Sequence, residues 1–311
     1  MRNKINFLKG YVKRYVVAAY KRQKLQAGEF PPQLWIENTN HCNAACVMCP
    51  RDKHNRSLGF MEFSLFERLI KEIAVHKNNV SAVHMHNYGE PLMDKELIKK
   101  VKLAKDYGIK HVYFVTNAAL LTSDLSEKLI ASGLDQFKIS FYGTDRQTYN
   151  ATMRGLDFDQ TMSNVKQFFQ IRKKMKSLQP KVIIQYLPQS HNKAEISKFK
   201  SIFDSMIDSK LGDRLNIYSL LNFGEGRSYN NFARRIVSSI CNYPWRTMVV
   251  LHDGRVTACC MDYNGVLSMG NVTQSTIKQI WNNQTYKKIR EDFKKLDYKE
   301  YQVCRNCDLI F

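Results

Sequence analysis

Asn40-His41-Cys42-Asn43-Ala44-Ala45-Cys46-Val47-Met48-Cys49-Pro50-Arg51 is the stretch on which the reading of this chain turns. It follows the apolar run Leu34–Asn38 and carries three thiols in a C-x3-C-x2-C pattern. As thiolates they suit three irons of a [4Fe–4S] cube and leave the fourth iron open to a small molecule. A zinc site wants a fourth ligand, which His41 or His54 can provide, but zinc knuckles favour shorter CxxC pairs.

Outward from that loop, short apolar runs alternate with amphipathic ones. Strands are predicted at Leu34–Asn38, Val80–His86, His111–Thr116, Gln136–Ser140, Lys181–Gln185 and Leu215–Leu220. Helices are predicted between them, near 62–77, 94–107, 122–132, 158–176 and 193–209. Repeated β-then-α units imply a parallel sheet with right-handed crossovers. Six units are too few to close an eight-strand barrel, so the expected class is α/β, an open partial (β/α)6 TIM-like barrel. Ligands should gather at the C-terminal edge of its strands. The alternation stops near residue 222, where a Gly- and Cys-containing segment begins. The expected organisation is a basic N-terminal segment (1–32), the partial barrel (33–222) and a small C-terminal module (223–311).

The formal net charge is +20, from 48 Lys and Arg against 28 Asp and Glu. Residues 1–28 hold eight of those cations and no acid, and over residues 4–25 Leu8, Tyr11, Val12, Tyr15 and Ala19 recur at helical spacing. Pro31-Pro32 then ends the predicted amphipathic helix. Two readings stand: a helix packed across the barrel, or a surface that docks on anionic lipid or on a polyphosphate substrate. No apolar run approaches the roughly 20 residues that span a bilayer, and no signal-peptide pattern is present. The expected location is therefore the cytoplasm, with peripheral contact at the membrane's inner face through residues 1–28. Eight cysteines in a reducing compartment point to metal rather than to disulfides. A basic pI near 9.6 raises nucleic-acid binding, but no recognition module is present and such a role leaves the three-cysteine loop unexplained.

The C-x3-C-x2-C loop after the first strand of a βα array is the motif of the radical S-adenosylmethionine (SAM) superfamily, and the chain is identified as a member. Asn87-Tyr88-Gly89-Glu90-Pro91, ending the second strand, resembles the family's GE segment. The resemblance implies that the backbone at Gly89 and the Glu90 side chain receive the methionine amino group. Ser140 sits where the family places a ribose contact, Arg154-Gly155 resembles the arginine that meets the methionine carboxylate, and Asn117 falls at a strand end facing the site. Met48 departs from the aromatic residue many members place over the adenine. Tyr142 stands where related sequences often carry a small acidic residue, and is a candidate catalytic residue.

The C-terminal module adds Cys241, Cys259, Cys304 and Cys307, at separations of 18, 45 and 3 residues. One close pair with two distant partners can supply four thiolates to a fully ligated cluster, whereas zinc ribbons show two close pairs. With Asp253-Gly254-Arg255, Gly270-Asn271-Val272 and Ile280-Trp281-Asn282, the module resembles the SPASM/twitch extension in its single-auxiliary-cluster form. Its spacing is especially similar to that of a twitch dehydrogenase of an aminocyclitol alcohol. Cys260 is open between a buried apolar residue, a catalytic hydrogen donor to a radical, and the ligand in place of Cys259.

What the resemblance implies is two [4Fe–4S] clusters, SAM as cosubstrate and a reductant such as flavodoxin or ferredoxin. The cosubstrate is reductively cleaved to a 5′-deoxyadenosyl radical, a substrate hydrogen is abstracted, and the auxiliary cluster accepts the second electron. The expected net reaction is oxidation of an alcohol to a ketone on a sugar-like or cyclitol-like, phosphorylated or carrier-bound small molecule. The alternatives are a maturase of a ribosomally made peptide, for which 33 residues before the first strand leave little room for a recognition domain, and a radical epimerase using Cys260.

Overall fold

Period-two alternation in three of the strands gives the sheet two unlike faces. In β4 (Gln136–Ser140) Phe137 and Ile139 are buried while Gln136, Lys138 and Ser140 are half-buried on the other side. The same pattern holds in β1 (Gln33–Ile36) and β3 (Val112–Thr116). The structure, a computed structural model, describes residues 24–221, 240–305 and 307. The helix predicted over 4–25 falls almost wholly outside the described residues, as does the boundary placed at 222.

With β2 (Ala82–His84), β5 (Lys181–Tyr186) and β6 (Arg214–Ile217), these strands pair in parallel in the order β6-β5-β4-β3-β2-β1. All six lie at their predicted places. The sheet does not close: β6 forms one edge, and at the other side it continues into β7 (Thr247–Val250), β8 (Arg255–Thr257) and β9 (Ser268–Asn271). β7 pairs parallel with β1, setting Trp35 beside Val249, and β8 and β9 are antiparallel. The cysteine-rich module is thus joined to the barrel through backbone hydrogen bonds on the strand that precedes the first cysteine loop.

The apolar face packs under the helices. α1 (Phe63–Val75) buries Phe66, Leu69, Ile70 and Ile73, an i, i+3, i+4, i+7 stripe. Fully burying each such side chain is worth roughly 1.5–3 kcal/mol. α2 (Leu97–Asp106) and α3 (Ser123–Ala131) follow, the latter capped by Thr122 Oγ1 accepting from Leu125 N. A short helix that the sequence reading leaves out, α4 (Arg146–Thr152), begins at Asp145, whose side chain accepts from Thr148 N. α5 (Phe158–Lys174), capped by Asp157, sets Phe168 edge-on to Phe137 at 4.8 Å, and α6 (Ile196–Asp204) covers β5 and β6. α7 (Tyr243–Arg246) leads into β7, and α8 (Ile277–Trp281) and α9 (Gln284–Lys294) follow β9. No helix among the described residues is long and apolar enough to cross a membrane.

Candidate cluster and cosubstrate site

The first cysteine loop leaves β1 at its C-terminal end and is clamped from two sides. On one side Glu90 N donates to His41 O at 2.7 Å, and a Cβ on Gly89 would lie 2.1 Å from Thr39 O. Only glycine lets the two loops approach so closely. On the other side Ala45 N donates to Arg154 O at 2.7 Å and Val47 N to Thr152 O at 3.0 Å. Gly155 there adopts φ +86°, a left-handed conformation natural to glycine. The Gly89-Glu90 and Arg154-Gly155 segments singled out in the sequence therefore meet on opposite flanks of one loop. Arg51 Nη1 holds it from within, donating to Cys42 O and Ala44 O.

Within this frame Cys42, Cys46 and Cys49 are half-buried free thiols. Burial, then the charges of Cys49 and Cys42, pushes the Cys46 thiol up to about 12, and burial pushes Cys49 up to about 11. Three thiols this close in an apolar setting need a cation to become thiolates. Asn117 Nδ2 points at Cys42 Sγ from 4.0 Å and donates to Asn43 Oδ1 at 2.8 Å.

Glu90 is 2% exposed. It accepts from Leu92 N (3.0 Å), Thr116 Oγ1 (2.6 Å) and Asn117 N (2.7 Å), which ties the end of β2 to the end of β3. Burial pushes its carboxyl up to about 7, against the pull of those bonds. Of a carboxylate's roughly four acceptor positions three are taken. One acceptor position of the Glu90 carboxylate is left, while its backbone N donates to His41 O and its backbone O accepts from Met93 N. Ser140 Oγ accepts from Tyr142 Oη at 3.0 Å, and Tyr142 is near enough to Cys46 and Cys49 to feel their charges. Burial keeps the Tyr142 hydroxyl protonated, which makes it a donor rather than a base. The Arg154 side chain is exposed and has no partner among the described residues.

The second set converges elsewhere. Cys241, Cys259, Cys304 and Cys307 line one small cavity with apolar walls that include Leu267, Ile289 and Phe293. Cys304 and Cys307 are each 7% exposed, and Met261 N donates to Cys259 Sγ at 3.3 Å. Cys260 does not line that cavity. It is hydrogen-bonded to Tyr243, which does line the cavity, and its charge also reaches Tyr88 and Tyr113 at the barrel strands.

A deeply buried network joins the two sets. Glu37, just past β1, accepts from Arg56 Nη1 and Nη2 at 2.8 Å each and from His252 N at 3.2 Å. Arg56 Nε reaches Tyr263 O beyond Cys260. Burial alone would raise the Glu37 carboxyl, but hydrogen bonds from His252 and Arg56 outweigh it and hold it at about 2.

Two family models match the chain: the radical SAM superfamily over residues 36–178 and an iron–sulfur cluster-binding domain, SPASM, over residues 241–308. This is a radical SAM protein with a SPASM extension. The radical SAM protein is similar to the S-adenosyl-L-methionine-dependent 2-deoxy-scyllo-inosamine dehydrogenase of Niallia circulans, at 23% identity over 88% of this chain and 92% of that one. It is also similar to a probable GTP 3′,8-cyclase of Sulfurisphaera tokodaii, at 25% identity over 66% of this chain and 61% of that one. Among solved structures, BtrN in complex with AdoMet and 2-DOIA shares its fold, with a TM-score of 0.62, 20% identity, and 89% and 92% of the two chains covered. SuiB of Streptococcus suis bound to S-adenosylmethionine does so with a TM-score of 0.64, 18% identity, and 93% and 73% covered.

The cofactors of this radical SAM protein are [4Fe–4S] clusters and SAM. The donor sets fit them: one thiol trio is clamped between the Gly89 and Arg154 segments, and one quartet lines an apolar cavity. Among the described residues no three His, Cys, Asp or Glu side chains converge closely enough to hold a single metal ion. Ligands of a cube stand further apart, because irons and sulfides lie between them.

Sequence reasoning passes over Glu37, Arg56 and His252, which are distant in sequence, and over His84, Tyr113 and Lys138 inside the barrel. The signal for the last three is the strand alternation itself, which places polar residues on the side away from the helices.

Proposed function

We propose that this chain is a radical SAM oxidoreductase of the dehydrogenase type, acting on an alcohol of a sugar-like or cyclitol-like small molecule. Cys42, Cys46 and Cys49 would hold the open cluster. The Gly89-Glu90 backbone and the Glu90 carboxylate would receive the methionine amino group, Arg154 its carboxylate and Ser140 the ribose, with Asn117 steadying the Cys42 sulfur. Cys241, Cys259, Cys304 and Cys307 would hold the auxiliary cluster in a barrel (33–222) and module (223–311) arrangement. When bound, these groups supply the 5′-deoxyadenosyl radical and an electron sink, so an alcohol that loses a hydrogen atom, a proton and an electron ends as a ketone.

The observation that carries this reading is the convergence of four thiols on one apolar cavity. With four protein ligands the second cluster offers substrate no open position, which suits electron transfer, and the inosamine dehydrogenase relative performs an oxidation of this kind. Tyr142 would donate a hydrogen bond beside the cosubstrate. The protein would work in the cytoplasm with a flavodoxin or ferredoxin as reductant, and residues 1–28 would touch anionic membrane.

Anaerobic incubation of cluster-loaded protein with reductant and SAM tests the reading. About eight irons per chain and formation of 5′-deoxyadenosine are expected, followed by a carbonyl product when sugar or cyclitol alcohols are screened. Absence of 5′-deoxyadenosine removes the proposal. A second reading, a radical epimerase, is favoured by the position of Cys260 outside the four-thiol cavity and toward Tyr113. Deuterium incorporated from solvent into unoxidised substrate, and lost in Cys260→Ala, would select it.

A further inference from the structure

The strand registers define which side chains share the face turned away from the helices. Trp35 pairs with His84 and His84 with Tyr113, Val115 pairs with Lys138, and Lys138 pairs with Ile183, which pairs with Arg214. Registered neighbours in a sheet project to the same side. Across β1–β6 this side carries His84, Lys138, Lys181 and Arg214, and no Asp or Glu stands in any of its registers. Glu37, two residues beyond Trp35, is neutralised by Arg56.

The groups form one contiguous patch. The rings of His84 and Tyr113 are 4.3 Å apart, His84 and His86 6.0 Å, and the Lys138 ammonium sits 4.8 Å over the Tyr113 ring. His84 is 4% exposed, yet its Nδ1 has no partner, and neither does Nδ1 of His86. Lys138 makes no hydrogen bond or ion pair with a described residue. The titratable neighbours of His84 are His86, Lys138 and His111, and that of His86 is Lys138, all bases. A half-buried ammonium and orphaned imidazole nitrogens with no carboxylate to balance them leave an unmet need for acceptors.

We infer that this inner face of β2–β4 is an oxyanion subsite, with Lys138 supplying charge and His84, His86 and Tyr113 hydrogen bonds, and that the substrate carries a phosphate or a carboxylate there. The inference rests on the radical SAM reading and narrows its substrate class. It also separates this chain from the inosamine dehydrogenase, because the ammonium of an inosamine would be repelled by such a face.

Equilibrium dialysis of the cluster-loaded full chain with labelled inorganic phosphate is the test, run at 0.15 M salt, where binding to the basic exterior is largely screened. Saturable binding is expected, weakened at least tenfold in Lys138→Met, largely retained in Lys138→Arg, and unaffected by the exposed-site control Lys128→Met. Acetate competing as well as phosphate does would assign the subsite to a carboxylate, and failure to compete would assign it to a phosphate. Iron content serves as the folding control. Should Lys138→Met fail to load its clusters, Tyr113→Phe removes only a hydroxyl and is expected to weaken phosphate binding several-fold. No saturable binding, or equal affinity in Lys138→Met or in a loaded Tyr113→Phe, overturns the subsite. Formation of 5′-deoxyadenosine by the unaltered protein is scored separately, so the subsite can fail while the radical reading stands.

Discussion

Glu90 faces three donors and no acceptor, so a side chain of the same shape with an amide in place of the carboxylate must turn an N–H toward one of them. Glu90→Gln is expected to cost about 1–3 kcal/mol of stability, the penalty of an unmet buried donor, and to weaken SAM binding by loosening the turn at Gly89. Thermal melting and equilibrium binding check both, and an unchanged melting temperature would remove the positioning role. The pH dependence has a definite sign. A carboxyl raised to about 7 from an unfolded value near 4.5 favours the folded state below about pH 4.5, and that contribution is lost as pH rises through 7. In Glu90→Gln the corresponding slope between about pH 4.5 and 7 should vanish.

At the scale of elements, β7 against β1 is what brings the two cysteine sets into one body, and the Glu37–Arg56–His252 network locks that junction. Arg56→Met would leave the Glu37 carboxylate buried without its countercharge, at a cost of about 3–5 kcal/mol. Glu37 is held at about 2, below its unfolded value, so its contribution is complete above about pH 4.5 and is lost as pH falls toward 2. The deficit of Arg56→Met should therefore shrink across that acid window in chemical denaturation. The α9-to-terminus segment gives a second test. Cys304→Ala with Cys307→Ala removes two of the four cavity thiols and should halve the iron content while 5′-deoxyadenosine still forms. Oxidised product should disappear, and normal product yield from a folded, iron-depleted variant would sink the electron-acceptor role. Substrate binding by the variant controls for folding, which is coupled to metal in cysteine-bound modules.

For the whole molecule, the charge is distributed in a way that bears on partners. Eight of its cations and no acids lie in residues 1–28, the last of which, Gly28, accepts from Trp281 Nε1 at 2.8 Å. Deleting residues 1–24, which hold all eight cations and leave Gly28 in place, is expected to abolish sedimentation with acidic liposomes at low salt and to leave iron content unchanged. Undiminished sedimentation would assign those residues to packing alone. Binding by the full chain should fall as salt rises, since exposed charges are screened within about 10 Å at 0.1 M.

The sequence by itself determined the features that are local in the chain. The six barrel strands are legible as short apolar runs set between amphipathic stretches, and the helices because their apolar stripes recur at 3.6. The two cysteine sets are legible because metal ligands must be a particular residue type at workable spacing. Gly89 and Gly155 stand out with the motifs that contain them, although only the structure explains them, through the close approach at Thr39 O and the left-handed turn beside Asn43. What tertiary structure alone decided is long-range. Parallel pairing of β7 with β1 joins residues more than 200 positions apart, and no local pattern encodes which edge a strand will choose. The ion pair of Glu37 with Arg56, the exclusion of Cys260 from the four-thiol cavity, and the gathering of His84, Tyr113 and Lys138 on one face all depend on that register. Each is a matter of which side chains a fold brings within a few ångströms, and burial then gives those contacts their energy.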